Sequence, residues 1–188
     1  MSSHHLDLCI LPDPEIALGH VLSTLYGRLH LVLARERCET VGVSFPGYDA
    51  QRRRLGNCLR LLGASDDLQT LMALPWLGGL RDHLQVGGLA LVPADAVPRM
   101  LRRVQAKSSP ARLRRRQMRR HGLTEEQATA RVPDEAAERL DLPFITMTSS
   151  STGQTFRLFL QLGEPLSAAR VGRFNSYGLS QTASVPWF

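Results

Sequence analysis

Apolar residues recur at intervals of three and four through Leu18, Val21, Leu22, Leu25, Leu29, Val32 and Leu33. That spacing lines one face of an α-helix reaching about Arg35. Ahead of it, Asp13-Pro14-Glu15 offers a capping carboxylate, a proline suited to a first turn and an acid that complements the dipole, so the predicted helix opens there. Around this helix the pattern shortens. His5 to Leu11, Val41 to Phe45 before Pro46-Gly47, Arg54 to Leu62, and Gly88 to Val92 before Pro93 read as strands. A second helix starts at Ser65-Asp66-Asp67 and is ended or bent by Pro75. The order β-α-β-β-α-β is ferredoxin-like, a plan shared with RNA-recognition modules.

Farther along, Thr124-Glu125-Glu126-Gln127 has the form of a capping box opening a short helix that ends near Val132-Pro133. Phe144 to Ser149 and Thr155 to Leu162 predict two strands, the second with Phe156, Leu158, Leu160 and Leu162 on one side. Arg173 to Leu179 reads as another strand, and Val185-Pro186-Trp187-Phe188 as an aromatic end packed down. The expected fold is α+β: a ferredoxin-like (RRM-like) domain over 1–95 and a C-terminal domain over 96–188 with an arginine-rich helix at 110–121 and a small β-sheet.

Charge changes this picture. Arg99 to His121 holds ten of the 23 Lys and Arg residues, and no acid lies between Asp95 and Glu125. Without that segment the formal +6 becomes −4, with 13 basic against 17 acidic residues. Its second half has the punctuation of a helix, with Ser109 to cap, Pro110 at the first position and Gly122 just past the end. At about 100° per residue, Arg112, Arg115, Arg116, Arg119 and Arg120 fall within an arc of roughly 140°. Like charges at i, i+4 repel, and a polyanion would relieve that. Arginine outnumbers lysine 22 to 1, and the guanidinium fork binds phosphate or guanine edges in two-pronged fashion. A nucleic acid is the implied partner. A slim helix enters an A-form major groove best near the end of a short stem, so a hairpin RNA fits better than a long duplex. The sheet is not expected to stack bases, because Phe45 and Tyr48 are too few for an aromatic platform.

Composition narrows the rest. With 43% hydrophobic residues the 188-residue chain can build a core. No run of 18 apolar residues exists, and the N-terminus lacks the pattern of a signal peptide, so no membrane association and a cytoplasmic location are expected. Cys9, Cys38 and Cys58 are odd in number and lack C-x-x-C spacing, which predicts buried free thiols and no zinc site. There is no phosphate-binding G-x-x-x-x-G-K-[ST] loop, H-E-x-x-H, G-x-S-x-G or acidic cluster for Mg²⁺. No metal and no cofactor are expected. RNA cleavage remains open to such a chain, because the 2′-hydroxyl of RNA can attack its own phosphate once oriented and deprotonated. For proton transfer the candidate is His30, on the border of the first helix's apolar face beside Tyr26 and Ser23. The same position suits a boundary histidine held by a hydrogen bond. The hydroxyl-rich turn from Thr148 to Gly153 is a candidate for phosphate or ribose, or only a turn.

These residues suggest a family. Arg103-Val104-Gln105-Ala106-Lys107-Ser108 with the Pro110 to His121 arginine helix resembles the CRISPR repeat-processing endoribonuclease of type I-F systems. So do Gly27-Arg28-Leu29-His30, Gly42-Val43-Ser44-Phe45-Pro46, the run from Ser151 to Phe159, and Tyr177-Gly178-Leu179-Ser180, all collinear. The resemblance implies a metal-independent, hairpin-specific endoribonuclease that processes repeat transcripts at the 3′ base of the stem. Its products would carry a 2′,3′-cyclic phosphate and a 5′-hydroxyl. It implies His30 as the proton-transfer residue, Ser149 as the holder of the 2′-hydroxyl and Tyr177 as support for the histidine. It also implies Arg103 and Gln105 at base edges, Phe156 stacked on the terminal pair, Arg116, Arg119 and Arg120 in the groove, and Ser151 and Thr152 beside the scissile phosphate. Implied partners are the repeat hairpin, as precursor and mature guide RNA, and other subunits of the type I-F surveillance complex. From the residues alone, a non-catalytic hairpin-binding subunit and a DNA-binding protein stay as alternatives.

Overall fold

The computed structural model describes residues 3–105, 110–133, 140–149 and 152–188. The chain divides into two compact units, one of Met1–Arg103 with Leu142–Phe188 and the other of Val104–Asp141.

In the first unit, β1 (His4–Ile10) alternates as its sequence predicts, burying Leu6, Leu8 and Ile10. It pairs antiparallel with β3 (Cys58–Gly63), which pairs with β2 (Gly42–Ser44), and β4 (Leu84–Val86) takes the other side of β1. The strand order β2-β3-β1-β4 is that of a ferredoxin-like sheet. A second short strand, β5 (Ala90–Leu91), continues along β1. Helix α1 (Leu18–Arg35) buries the apolar face read from the sequence except Leu18, which is exposed in its first turn, and α2 (Ser65–Ala73) buries Leu68 and Leu71, all in one core with Leu8, Leu59 and Leu61. Each such fully buried leucine is worth about 1.5–3 kcal/mol of transfer free energy.

The opposite face of the sheet is occupied by the chain's own end. β6 (Val97–Arg99) pairs with β10 (Val185–Trp187). Beyond it, Arg60 donates to both carboxylate oxygens of Asp7 at 2.7 and 2.8 Å and to the Phe188 carbonyl at 2.7 Å, with its guanidinium 3.8 Å over the Phe188 ring. A third sheet, in the order β7 (Leu101–Val104), β9 (Thr155–Leu162), β8 (Phe144–Thr148), contributes Ile145, Met147, Leu158 and Leu160 to the core, and β8 packs beside α1.

In the second unit, α3 (Pro110–His121) ends at Gly122, which takes φ +62° and donates its N–H to the Met118 carbonyl. Thr124 and Gln127 form the expected capping box on α4 (Glu125–Arg131).

Several sequence expectations are corrected. Helix α1 starts at Leu18, not beside Asp13, because Asp13 Oδ1 accepts from the N–H groups of Glu15 and Ile16 and so closes a turn of its own. The strand expected from Arg54 begins only at Cys58, since Gly56 at φ +80° turns against Gly47 just before it. The strand expected over Gly88 to Val92 is only the two residues of β5, and β4, which completes the sheet order, lies before it; Gly87, whose N–H bonds the Asp7 carbonyl, separates the two. Residues 173–179 are no strand: Asn175 Oδ1 accepts from Tyr177 and Leu179 N–H groups and folds them into a turn. Cys9 and Cys58 are not free thiols. They stand directly opposite on β1 and β3 and form a disulfide, while Cys38 is free and half-buried.

Candidate active site and nucleic-acid interface

His30 sits one helical turn after Tyr26, and the two are fixed by the same distant turn. Tyr26 is fully buried and donates its hydroxyl to the Tyr177 carbonyl at 2.7 Å. Burial, with a smaller push from the Tyr177 phenol and against the pull of Arg103, drives the Tyr26 phenol far up, so it stays a donor. His30 is half-buried, its Nδ1 lies 3.0 Å from the Ser176 carbonyl, and its ring stacks on that of Tyr177 at 3.9 Å with 1° between planes. A carbonyl only accepts, so Nδ1 carries the proton and Nε2 keeps the lone pair in the neutral ring. This geometry fits a base before proton transfer and an acid after it.

The turn that holds Tyr177 is itself pinned. Gly178 takes φ +67°, its carbonyl accepts from Val43 N–H at 3.0 Å, and a Cβ there would lie 2.6 Å from Val43 Cγ1. Only glycine fits. Above Tyr177, the Arg103 guanidinium lies 5.7 Å from that ring and 5.5 Å from the ring of half-buried Phe156, and Arg103 Nε is buried with no hydrogen-bond partner among the described residues. Imidazole, phenol and guanidinium are thus gathered, with Phe156 beside the guanidinium.

Ser149 follows directly on β8, at the head of the β8–β9 hairpin. Its N–H donates to the Gln154 carbonyl at 2.9 Å, its carbonyl accepts from Gly153, and its Oγ accepts from Thr152 N–H at 3.3 Å. A cavity of about 670 Å³ is lined by His30 from α1 and by Thr148 and Thr155, which flank that hairpin. The neighbours of Ser149 and the imidazole therefore share one opening. Thr152 is exposed there, and Ser151 lies outside the described residues.

On the second unit, Arg112, Arg115, Arg116, Arg119 and Arg120 are exposed and line one surface depression of about 410 Å³ on α3, as helical phase predicts. Arg114 points elsewhere, donating Nε–H to the Val132 carbonyl at 2.8 Å beyond the end of α4. Gln105, just after β7, is exposed. The group Asp7, Cys9 and Cys58 comes as close as metal ligands would, but the sulfurs are spent on each other and the carboxylate on Arg60.

Sequence reasoning overlooked Tyr26 and Asn175. The available signal for Tyr26 was its i, i+4 relation to His30, although placing it on a solvent border was wrong, since it is wholly buried. Asn175 gave only the weak signal of an Asn two residues before a Tyr-Gly pair.

The chain is 52% identical over 185 residues to the CRISPR-associated endonuclease Cas6/Csy4 of Pseudomonas aeruginosa (strain UCBPP-PA14), covering 98% of this chain and 99% of that one. It is 42% identical over 185 residues to the protein of the same name from Escherichia coli (strain UTI89 / UPEC), with the same coverage. The family model described as CRISPR-associated protein (Cas_Csy4) matches residues 5–188, and the chain belongs to that family.

Proposed function

We propose that the protein is a hairpin-specific endoribonuclease that processes CRISPR repeat transcripts into guide RNAs, cutting at the 3′ base of the stem. The observation that carries this reading is the oriented His30 imidazole, its Nδ1 bonded to the Ser176 carbonyl and its ring stacked on Tyr177, lining one cavity with Thr148 and Thr155 beside the Ser149 turn. The printed name of both relatives, CRISPR-associated endonuclease, supports it.

In the proposed mechanism Ser149 Oγ holds the 2′-hydroxyl and His30 takes its proton. The 2′-oxygen forms a bond to phosphorus, the bond from phosphorus to the 5′-oxygen breaks, and that oxygen takes up the proton that the His30 imidazolium gives back. A 2′,3′-cyclic phosphate and a 5′-hydroxyl result. Each step uses a proton acceptor or donor that the chain itself supplies, so no metal enters. Tyr177 keeps the imidazole in place by stacking. Phe156 stacks on the terminal base pair, Arg103 and Gln105 read base edges beside it, and Ser151 and Thr152 flank the scissile phosphate. Arg112, Arg115, Arg116, Arg119 and Arg120 grip the major groove. In this division of labour the part over 1–95 brings the histidine and the part over 96–188 brings the grip. The protein keeps the hairpin after cutting and joins the other subunits of a type I-F surveillance complex in the cytoplasm. Among the described residues no helix is long and apolar enough to cross a membrane.

Incubating the protein in EDTA with repeat RNA, and with the same RNA carrying one 2′-deoxy nucleotide 5′ of the scissile phosphate, tests the reading. The expected result is one cut at the stem base in the first, with a cyclic phosphate end, and none in the second. Binding of the hairpin without any cut would instead identify a non-catalytic subunit.

A further inference from the structure

Resting on that reading, we infer that the groove between α1 and β8 seats the RNA strand 3′ of the scissile phosphate, the segment that leaves after cutting. The groove starts at His30 and follows α1 back through Gly27 and Ser23 toward its N-terminus, with β8 as its other wall. Phe156, Arg103 and Tyr177, the groups that would face the stem, do not line it. A strand that has its last base pair on Phe156 and its phosphate at His30 continues into this groove.

The lining has the chemistry of a ribose-phosphate seat. None of the lining residues is acidic, and the hydroxyls of Ser23, Thr146, Thr148 and Thr155 have no hydrogen-bond partner among the described residues. Arg28 stands at the rim with its guanidinium held by the Gly78 carbonyl. Hydroxyl donors and a cation suit phosphate oxygens and 2′-hydroxyls. The lining offers no Phe, Tyr or Trp, and its flat groups are the His20 and His30 rings and the Arg28 guanidinium, so binding there is mainly through the backbone and tolerant of sequence. At about 670 Å³ the cavity has the size of a site for a drug-sized ligand, room for a nucleotide or two.

Gly27 makes the inference sharper. It lies inside an 18-residue helix, where glycine is poorer than alanine, yet a Cβ on it would meet nothing within 4 Å. Packing within the protein does not call for glycine at this point. A bare helix surface three residues before the imidazole lets a strand pass close to the backbone.

Two non-cleavable hairpins with the 2′-deoxy substitution, one ending a single nucleotide past the scissile phosphate and one extended by six more of arbitrary sequence, measure the groove directly. The extended RNA is expected to bind about 3- to 10-fold tighter, the worth of one or two net hydrogen bonds. Gly27→Leu fills the groove without lowering Tm, and it brings that ratio close to one. Ser23→Ala lowers it part of the way and serves should Gly27→Leu misfold. Equal affinity of the wild-type protein for both RNAs, or a ratio untouched by a folded Gly27→Leu, overturns the inference. All-ribose versions of both hairpins run alongside keep the two readings apart. Failure to cut either one sinks the nuclease reading, whereas normal cutting with a ratio of one sinks only the groove.

Discussion

His30 works through what holds it. Its Nδ1 proton is committed to Ser176 and its ring to Tyr177, so only Nε2 is left for chemistry. Replacing it by alanine removes the proton carrier and leaves the arginines of α3 unchanged. We expect His30→Ala to slow single-turnover cleavage by at least about 10²-fold while its Kd for a non-cleavable hairpin stays within about twofold of wild type. Cleavage at the wild-type rate would take the imidazole out of the mechanism. Tyr26 acts one step behind. Tyr26→Phe leaves the Tyr177 carbonyl without its donor, and it should lower unfolding free energy by about 1–3 kcal/mol in urea titration and reduce cleavage more than binding. The Tyr26 phenol is held protonated in the fold, above its ordinary value of 10.0, so its contribution is complete below that pH and declines as pH rises past it. The phenylalanine variant should show a shallower alkaline loss of stability. Helical phase puts His30 on the border of the apolar face of α1, where a boundary histidine held by a hydrogen bond is equally at home, and its proton-transfer role comes from the family resemblance. Tyr177 came with the same resemblance, but the Ser176 bond came from neither, because nothing in the sequence near residue 30 records a contact made 146 residues away.

Elements were legible where their signals are short-range. Pro110 and Gly122 bracket α3, and the Thr124 to Gln127 box opens α4, because each cap is decided within four residues. The turns at Asp13, expected as a helix cap, and at Asn175, expected within a strand, differ from expectation for the opposite reason: an Asp or Asn side chain can fold its own neighbours into a turn, and tertiary packing chooses. On α3 the function follows from one exposed face. Arg115 and Arg119 are i, i+4 neighbours, both exposed, so the double change to alanine removes a repulsion together with two of the guanidiniums proposed to bind phosphate. The wild-type protein should bind hairpin RNA with a log-log salt slope of about −3 to −5, and the double variant should flatten it by about 1–2. Helix content by circular dichroism should not fall. An unchanged slope would show that these two guanidiniums meet no phosphate.

At the scale of the whole molecule, the β-α-β-β-α-β alternation emerged from hydrophobic runs, with its last strand at Leu84–Val86 in place of 88–92, and an aromatic end packed down was expected, but not the sheet face that it covers. That face depends on Arg60, Asp7, the Cys9–Cys58 pair and Phe188 meeting across strands far apart in sequence. Cysteine counting failed for the same reason, since an odd total excludes nothing once register sets two of them opposite one another. The disulfide spans 49 residues, and closing a loop of that size restricts the unfolded chain by an amount worth about 2–4 kcal/mol. A reductant should therefore lower Tm by roughly 5–15 °C for a chain of this length. Thiol titration in denaturant should count one free group before reduction, Cys38, and three after it. A cytoplasmic thiol pool keeps such pairs open, so in that compartment the sheet must stand without the link. The core, with Leu8, Leu59 and Leu61 fully buried, involves neither sulfur and should survive reduction. Cleavage at 25 °C should be the same in both states, because His30 and its partners bond to neither sulfur. Three titratable thiols in the untreated protein, with a melt indifferent to reductant, would show that the pair never closes.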